Sequence, residues 1–368
     1  MKRPPTITLK RIADQLGISV TTVSRALGGQ ARRYRISRET EQSVKNLARS
    51  LDFSPNQLAR GLRLKKTSTI GLVIPDVSNP FFATIVRQIA LGARNRGYSL
   101  IICDSQDSEK QEIESLGLLR GRGVEGIVLC PVGLSAGHLA KFEEGDLPLV
   151  LVDRYFPGLR LPYVASDNFG GAGRATTYLL DKGHRRIACL QGLQGTSPNE
   201  DRLRGYRAAL SDHGIPADDG LIAGDSFGEQ GGYVTTKLLL KTAPDFTAIF
   251  AFSNLISLGA IRALSEEGLR VPEDVSIVSF DDQPYAAYLA APMTTVAQPT
   301  QEMGEIAVRL LFDRIRAPRH VVQGGVLLPT NLMERSSVRD LAIEELRKSE
   351  RSVINDCPNH KERRRVCG

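Results

Sequence analysis

The sequence contains no tryptophan, only four methionines and five cysteines, and its aromatic share is 6%. A disulfide-stabilised secreted domain typically has many cysteines in an even number, whereas this chain has few and an odd number. We therefore expect reduced thiols. No apolar run approaches the roughly 20 residues that span a bilayer, and the N-terminus MKRPPTITLK lacks the apolar segment of a secretory signal. We therefore expect a cytoplasmic protein with no membrane partner.

Charge is distributed unevenly along the 368 residues, whose net charge is +7. Residues 1–66 contain 15 Lys or Arg and 4 Asp or Glu, a net charge of +11, so the rest of the chain is net acidic. A basic head on an acidic body predicts a polyanionic partner, such as nucleic acid, for the head alone. The length predicts more than one domain.

The stretch LKRIADQLGISVTTVSRALGG predicts two short helices joined by a tight turn at Gly17. Thr8 and Ser19 are placed to cap these helices, and a third helix is expected from Ser37. The apolar residues of the second helix fall on one face, which leaves a small, hydroxylated and basic outer face. Such a face suits the floor of a major groove, although the spacing alone also fits a solvated face on a small bundle.

The second helix supplies the candidate DNA contacts, because the recognition helix of a helix-turn-helix reads bases with its N-terminal residues. Val20 and Thr21 could meet thymine methyl groups, and Arg25 could pair with guanine O6 and N7. Thr22 and Ser24, on the flanks, are better placed for phosphates.

The next segment, FSPNQLARGLRLKK, starts like a helix but is too short to be stable alone. With VTTVSRAL, it resembles the DNA-binding domain and hinge helix of the LacI/GalR family of bacterial transcription regulators. The resemblance implies that two hinge helices pair in the minor groove, with Leu62 as a wedge between base pairs and Asn56 and Ala59 beside it. The loop QARRYR is a few residues longer than the family pattern, so no phosphate contacts are transferred to it.

From residue 69 to 338, short apolar strands alternate with helical stretches, which predicts parallel sheets covered on both faces. The irregular stretch YFPGLRLPY divides the alternation into two sets. The predicted fold class is α/β, with two Rossmann-like lobes of the periplasmic-binding-protein type after an all-α helix-turn-helix domain. The predicted domains are a helix-turn-helix domain at 1–53, a hinge at 54–68, a first lobe at 69–166 plus 297–320, a second lobe at 167–296 plus 321–338, and a charged, disordered tail at 339–368.

Three motifs that could indicate enzymatic or metal chemistry are weak. GRGVEG at 121–126 fits a dinucleotide fingerprint but follows a helix and precedes a strand, the reverse of the required order. GLSAG at 133–137 fits a nucleophile elbow, yet no oxyanion element accompanies it. Cys357, His360 and Cys367 are few ligands in a tail poor in apolar residues. We therefore expect no catalytic residue, no metal and no cofactor.

Polar residues collect where the predicted strands end, and ligands of open parallel sheets bind beyond the carboxyl ends of the strands. Each could instead cap the following helix. Carboxylates, amides and arginines in pairs suit a polyol, because each hydroxyl both donates and accepts. The neighbouring Phe81 and Phe82 either divide between core and solvent or form a wall for a sugar ring, in which case replacing Phe82 should weaken sugar binding more than folding.

The body also resembles periplasmic sugar-binding proteins of the ribose type, to which the family's effector domains are related. Through the motifs SNPFF, LVDR, DRLRGY, FAFSN, VSFD and VAQ, this similarity implies an effector site made of Asn79, Phe81, Phe82, Asp153, Arg154, Arg202, Ser253, Asp281 and Gln298. FAFSN departs from the pattern, since an asparagine is expected at Ser253 and Phe252 is large. The identity of the sugar is therefore left open.

Together these features predict a sequence-specific transcription regulator, and more specifically a repressor, whose operator affinity is controlled by a pentose- or hexose-class sugar between two lobes. The expected partners are a near-palindromic operator and a second copy of the chain, with a homodimer or tetramer as the assembly. The expected location is the bacterial cytoplasm, at the nucleoid when the protein is bound to DNA. The alternative is a sugar-binding module without DNA function, against which the basic head and the missing signal argue. Two questions stay open: whether the sugar is phosphorylated, and whether it releases DNA or promotes binding.

Overall fold

The structure, a computed structural model, describes residues 7–53, 66–317 and 324–343. These residues fall into two compact units that divide between Thr67 and Ser68. The predicted hinge contacts Asn56, Ala59 and Leu62 lie outside the described residues, as do residues 344–368.

The described residues of the first unit, 7–53 and 66–67, contain three helices, α1 (Leu9–Leu16), α2 (Val20–Leu27) and α3 (Arg38–Ser50). Thr8, Ser19 and Ser37 cap them by accepting backbone N–H groups, which confirms the predicted helix starts. Gly17 ends α1 with φ +64°, a left-handed conformation that glycine adopts readily. The buried core consists of Ile12, Ala13, Val23, Ala26, Val44 and Ala48.

The second unit contains two six-stranded sheets whose strand orders correspond position by position. The first sheet has the order β11-β5-β4-β3-β1-β2 and is parallel throughout. Its strands are β1 (Thr69–Ile74), β2 (Ser99–Asp104), β3 (Ile127–Leu129), β4 (Leu149–Val152), β5 (Tyr163–Ser166) and β11 (Gly325–Leu328).

The second sheet has the order β12-β10-β9-β8-β6-β7, and only β12 runs antiparallel to its neighbour. Its strands are β6 (Ile187–Leu190), β7 (Ile222–Ala223), β8 (Ala248–Ala251), β9 (Ser276–Phe280), β10 (Thr294–Ala297) and β12 (Asn331–Met333). The sequence pattern did not predict β7 or β12, since two or three residues are too few for an alternation to be recognised.

In the described part of this unit, seven longer helices accompany the sheets. They are α4 (Pro80–Asn95), α5 (Glu109–Gly121), α6 (Asn168–Asp181), α7 (Ser197–Asp212), α8 (Glu229–Thr242), α9 (Asn254–Glu266) and α10 (Thr300–Arg316). The alternation in the sequence predicts that α7 starts at Glu200 and α9 at Ser257, whereas the helices start three residues earlier, at Ser197 and Asn254. Ser253 caps α9 directly, and Pro198 is favourable in the first turn of α7.

The chain crosses between the two lobes three times, after β5, after β10 and after β11. The last crossing corrects a predicted boundary, because residues 325–328 belong to the first lobe and not to the second. Gly325–Leu328 pairs with β5, and Val326 and Leu328 pack into the core of the first lobe. The lobes are joined by these crossings, and lobes joined in this way can rotate about their connections.

The start of the predicted disordered tail is ordered against the second lobe, which corrects that prediction for residues 339–343. Lys182 Nζ lies 2.9 Å from Asp340 Oδ2, and the Leu341 N–H donates to the Lys182 carbonyl at 2.8 Å. Ion pairing and backbone hydrogen bonds, rather than apolar burial, hold this segment.

Within the ranges that the structure describes, no helix is long and apolar enough to cross a membrane. The same ranges contain no group of three or more His, Cys, Asp or Glu side chains that could hold a metal ion. Cys103, Cys130 and Cys189 are free thiols, and Cys130 and Cys189 are buried.

Helices α8 and α9 pack so closely that Gly259 has no room for a side chain. A Cβ atom at Gly259 would lie 2.1 Å from the Glu229 carbonyl oxygen and 2.5 Å from the Tyr233 nitrogen. We expect Gly259→Ala to lower the free energy of unfolding by about 1–3 kcal/mol, because the two backbones must separate. Thermal unfolding followed by circular dichroism measures this loss.

Gly117 provides the matched control, because it also lies inside a helix, α5, but a Cβ atom there meets nothing within 4 Å. Gly117→Ala should stabilise the protein by about 0.5–1 kcal/mol through the higher helix propensity of alanine. Equal shifts of the unfolding temperature in the two variants would contradict the close approach of α8 and α9.

Candidate functional site

The outer face of α2 carries the side chains predicted to contact DNA. Val20 and Thr21 are exposed at the start of the helix, while Thr22, Ser24 and Arg25 are half-buried on its flanks and last turn. The inward positions of the same helix lie in the core, so the division into inner and outer faces is confirmed. Most side chains on this face are small, so the helix can come close to base edges, and Arg25 adds one guanidinium.

A cavity lies between the two lobes of the second unit, with a space of about 570 Å³ when its open mouth is included. The structure brings all nine predicted effector residues to its wall, namely Asn79, Phe81, Phe82, Asp153, Arg154, Arg202, Ser253, Asp281 and Gln298.

Asp153 and Asp281 occupy equivalent positions in the two lobes, directly after β4 and β9. Their φ angles are +68° and +71°, and each donates its N–H to a residue of the next strand, Val164 or Val296. A left-handed conformation in a residue other than glycine is costly and is concentrated at functional sites. Both carboxyls are buried, and burial raises the pKa of each above its usual range.

Arg202, on α7, is held on three sides within the second lobe. Its Nε donates to Asn168 Oδ1 at 2.8 Å, its Nη1 donates to the Phe252 carbonyl, and its guanidinium lies 3.7 Å from the centre of the Phe280 ring. Burial lowers the pKa of Arg202, and the nearby Asp281 carboxylate opposes this shift. The cation is therefore fixed before any ligand arrives.

Arg154, from the first lobe, connects several parts of the cavity wall. Its Nη1 donates to the Pro131 carbonyl at 3.3 Å, and its guanidinium lies 3.9 Å from carboxylate oxygens of Asp107 and Asp153. The ring of Phe227, from the second lobe, lies 5.3 Å from the same guanidinium. Arg154 thus faces both lobes of the cleft.

Gln298 fixes the orientation of the Asp281 carboxylate. Gln298 Nε2 donates to Asp281 Oδ1 at 2.5 Å, and the Asn254 backbone N–H donates to Oδ2 at 3.3 Å. Within the described part of the chain, Gln298 Oε1 and Arg154 Nε are buried and have no hydrogen-bond partner. Buried polar atoms are normally paired, so both side chains retain unused capacity at the cavity.

Ser253 lines the cavity, but its hydroxyl is already engaged. The Oγ accepts from the Ile256 N–H at 3.1 Å as the cap of α9 and donates to the Phe227 carbonyl at 2.9 Å. Phe252 points the other way, into the core, where its ring lies 5.2 Å from that of Phe250. The size of Phe252 therefore does not narrow the cavity.

Both phenylalanine rings at the start of α4 are buried, so the division into one core and one solvent ring is wrong. Phe81 and Phe82 are each 5% exposed and meet edge to face at 4.9 Å between ring centres. They belong to the core of the first lobe and also line the cavity. Asn79 caps the helix by accepting the Phe81 N–H at 3.0 Å.

The predicted site missed two residues that contact Arg154, namely Asp107 and Phe227. Asp107 follows β2 with φ +51°, and the polar stretch SQDSEK that comes directly after the strand was an available signal. Phe227 lies between β7 and α8, where the short strand left no pattern to indicate a cleft position.

Known proteins resemble the chain over nearly its whole length. Residues 8–56 match the model "Bacterial regulatory proteins, lacI family", and residues 176–338 match "Periplasmic binding protein-like domain". The HTH-type transcriptional regulator DegA of Bacillus subtilis is 35% identical over 338 residues, which cover 91% of this chain and 98% of DegA.

Two solved structures have the same architecture. The lac repressor dimer bound to operator and the anti-inducer ONPF has a TM-score of 0.80 at 25% identity, and the match covers 90% of this chain and 99% of that one. The transcriptional regulator CelR in complex with cellobiose has a TM-score of 0.68 at 34% identity, with the same coverage.

Proposed function

The chain belongs to the lacI family of bacterial regulatory proteins, and from this premise we propose that it is a repressor whose operator affinity is set by an uncharged sugar. Family membership makes it a sequence-specific DNA-binding transcription regulator and not an enzyme. The observation that carries the sugar proposal is the convergence of carboxylates, guanidiniums and an amide on one cavity between two lobes. We place its action in the bacterial cytoplasm, at the nucleoid while it is bound to DNA.

The chemistry of the cavity supports a polyol. Asp153 and Asp281 present carboxylates that accept hydrogen bonds from hydroxyl groups, and Arg154 and Arg202 present donors to hydroxyl or ring oxygens. Such fixed pairs satisfy both functions of a hydroxyl group after it has lost its water. The adjoining aromatic wall suits the C–H face of a sugar ring, and the CelR–cellobiose complex gives a precedent within the family.

The balance of charge favours an unphosphorylated ligand. Asp76, Asp107, Asp153 and Asp281 line the cavity, against two guanidiniums. The guanidiniums are already close to carboxylates or buried against carbonyl groups. A phosphate would therefore add negative charge where carboxylates already predominate. A neutral pentose, hexose or small oligosaccharide avoids this cost.

The fold supplies a route from the cavity to DNA affinity. Ligand contacts from both lobes favour a closed arrangement of the lobes. Closure occurs by rotation about the three chain crossings that connect them. In a homodimer on a near-palindromic operator, closure changes how two DNA-binding heads can engage their half-sites. The sugar then acts by shifting the population between two arrangements, and we propose that it releases DNA.

A thermal-shift screen tests the sugar proposal. Pentoses, hexoses, cellobiose and sugar phosphates are each added to the full-length protein, because a ligand that binds the native state raises the unfolding midpoint by mass action. We expect at least one neutral sugar to raise the midpoint and its phosphate ester to be much weaker. A shift produced by phosphates alone would overturn the neutral assignment.

We expect Arg25→Ala to weaken DNA binding at one base position in particular. A bidentate arginine–guanine pair contributes about 1–3 kcal/mol of discrimination, so the variant should lose that preference and keep the others. The measurement is selection from a randomised duplex library followed by binding of single-base variants of the selected duplex. An equal loss on every sequence would reassign Arg25 to the phosphate backbone.

A further inference from the structure

The loop between α2 and α3 carries an aromatic ring against the recognition arginine. The Cζ of Arg25 lies 3.7 Å from the centre of the Tyr34 ring, which is within stacking distance. Tyr34 is 40% exposed and lies outside the core of the first unit, so the ring is not required for packing. The function described above assigns it no role.

Backbone hydrogen bonds hold this loop in one conformation. The Gln30 N–H donates to the Arg25 carbonyl at 3.0 Å, and the Tyr34 N–H donates to the Gln30 carbonyl at 3.3 Å. The Ile36 N–H donates to the Ala31 carbonyl at 2.9 Å, and Ala31 is buried. The backbone of Tyr34 is therefore held beside the last turn of α2, from where its ring reaches Arg25.

Stacking restrains a guanidinium without using its hydrogen-bond donors. The ring of Tyr34 contacts the face of the Arg25 guanidinium, whereas the N–H groups lie in its plane and point outward. Among the described residues, no hydrogen bond occupies those donors. An arginine held in this way loses less rotamer freedom when it pairs with guanine O6 and N7 than an unrestrained one does.

We propose that Tyr34 is a positioning residue for base recognition, which preorganises Arg25 for a bidentate contact with guanine. This inference rests on the proposed base contact of Arg25. It assigns a specificity role to the loop GGQARRYR, which carries the aromatic ring beside the recognition helix.

The test compares Tyr34→Ala, Tyr34→Phe and Arg25→Ala on duplexes selected by the wild-type protein from a randomised library. Tyr34→Ala should reduce the guanine preference roughly two- to fivefold, in line with an exposed cation–π contact, at the same position that Arg25→Ala affects. Tyr34→Phe retains the ring and should retain the preference. In the double variant, Tyr34→Ala should add no further loss at that position.

Arg33→Ala is the matched control, since it removes a cation from the same loop at a greater distance, 5.8 Å, from the Tyr34 ring. It should weaken binding to all duplexes alike, with a smaller salt dependence, and leave base preference unchanged. Circular dichroism melting confirms that each variant folds.

Two results would overturn the role of Tyr34. If Tyr34→Ala keeps the wild-type preference while Arg25→Ala loses it, the ring does not position the arginine, and the proposed function stands. If Tyr34→Ala weakens all duplexes equally, Tyr34 contacts the backbone. A wild-type protein that selects no motif would overturn both this role and the DNA-recognition proposal.

Discussion

Asp281→Asn should weaken binding of the effector sugar by about 2–3 kcal/mol, roughly 30- to 150-fold, because a hydrogen bond to a buried carboxylate is charge-assisted. The substitution keeps the shape of the side chain but removes its negative charge. Asp281 lies directly after β9, and its backbone has a φ angle of +71°. The Asn254 N–H donates to one carboxylate oxygen and Gln298 Nε2 donates to the other, so the new amide nitrogen must face one of these two donors. Calorimetric titration with the sugar from the thermal-shift screen measures the loss.

Asp282→Asn provides the control, because it removes a carboxylate from the neighbouring residue. Asp282 faces away from the cavity, where its Oδ1 accepts from Thr295 Oγ1 at 2.7 Å and lies 2.8 Å from Arg335 Nη1. This variant should bind the sugar like the wild type. Both variants should bind operator normally without sugar, and unchanged sugar affinity in Asp281→Asn would remove Asp281 from the site.

Phe82→Ala should lower the free energy of unfolding by about 3–5 kcal/mol as well as weaken sugar binding. The ring lies in the core of the first lobe against Phe81, so its removal leaves a cavity there. This revises the expectation from the sequence, which placed the main effect on binding. Thermal unfolding and sugar titration of the same preparation measure the two effects.

Phe169→Ala is the control for Phe82→Ala, since Phe169 is 44% exposed and should contribute less than 1 kcal/mol or so to stability. Phe82→Leu retains most of the volume and separates folding from recognition: it should unfold near the wild-type temperature and still lose the aromatic contact with the sugar. If Phe82→Ala unfolds at the temperature of Phe169→Ala, the ring is not part of the core.

Local signals in the sequence were sufficient for most of the architecture. The caps at Thr8, Ser19 and Ser37 depend only on residues within one helical turn, so they could be placed from the sequence. The alternation of apolar strands and helices predicted two parallel sheets. Because parallel strands align their carboxyl ends, Asp153 and Asp281 could each be placed at the ligand-binding edge of its own sheet. The resemblance to periplasmic sugar-binding proteins implied that the two edges share one cleft, and both residues line the cavity.

The features that were missed depend on contacts between distant parts of the chain. Gly325–Leu328 pairs with β5, which lies more than 150 residues earlier in the sequence. The segment belongs to the first lobe because β5 offers an unpaired sheet edge, which the local sequence pattern does not reveal. Phe227 is held at the cavity by residues distant in sequence: Ser253 donates a hydrogen bond to its carbonyl, and the Arg154 guanidinium lies against its ring. The burial of both Phe81 and Phe82 follows from a cavity wall that is continuous with the core.

The central claim is that sugar in the cavity and operator on the first unit are coupled. The direct measurement is fluorescence anisotropy of the selected duplex with the full-length protein, with and without a saturating sugar, followed by sugar titration with and without the duplex. The account predicts that sugar weakens duplex binding about 5- to 150-fold and that the duplex weakens sugar binding by the same factor. Equal affinity for the duplex with and without bound sugar would contradict it.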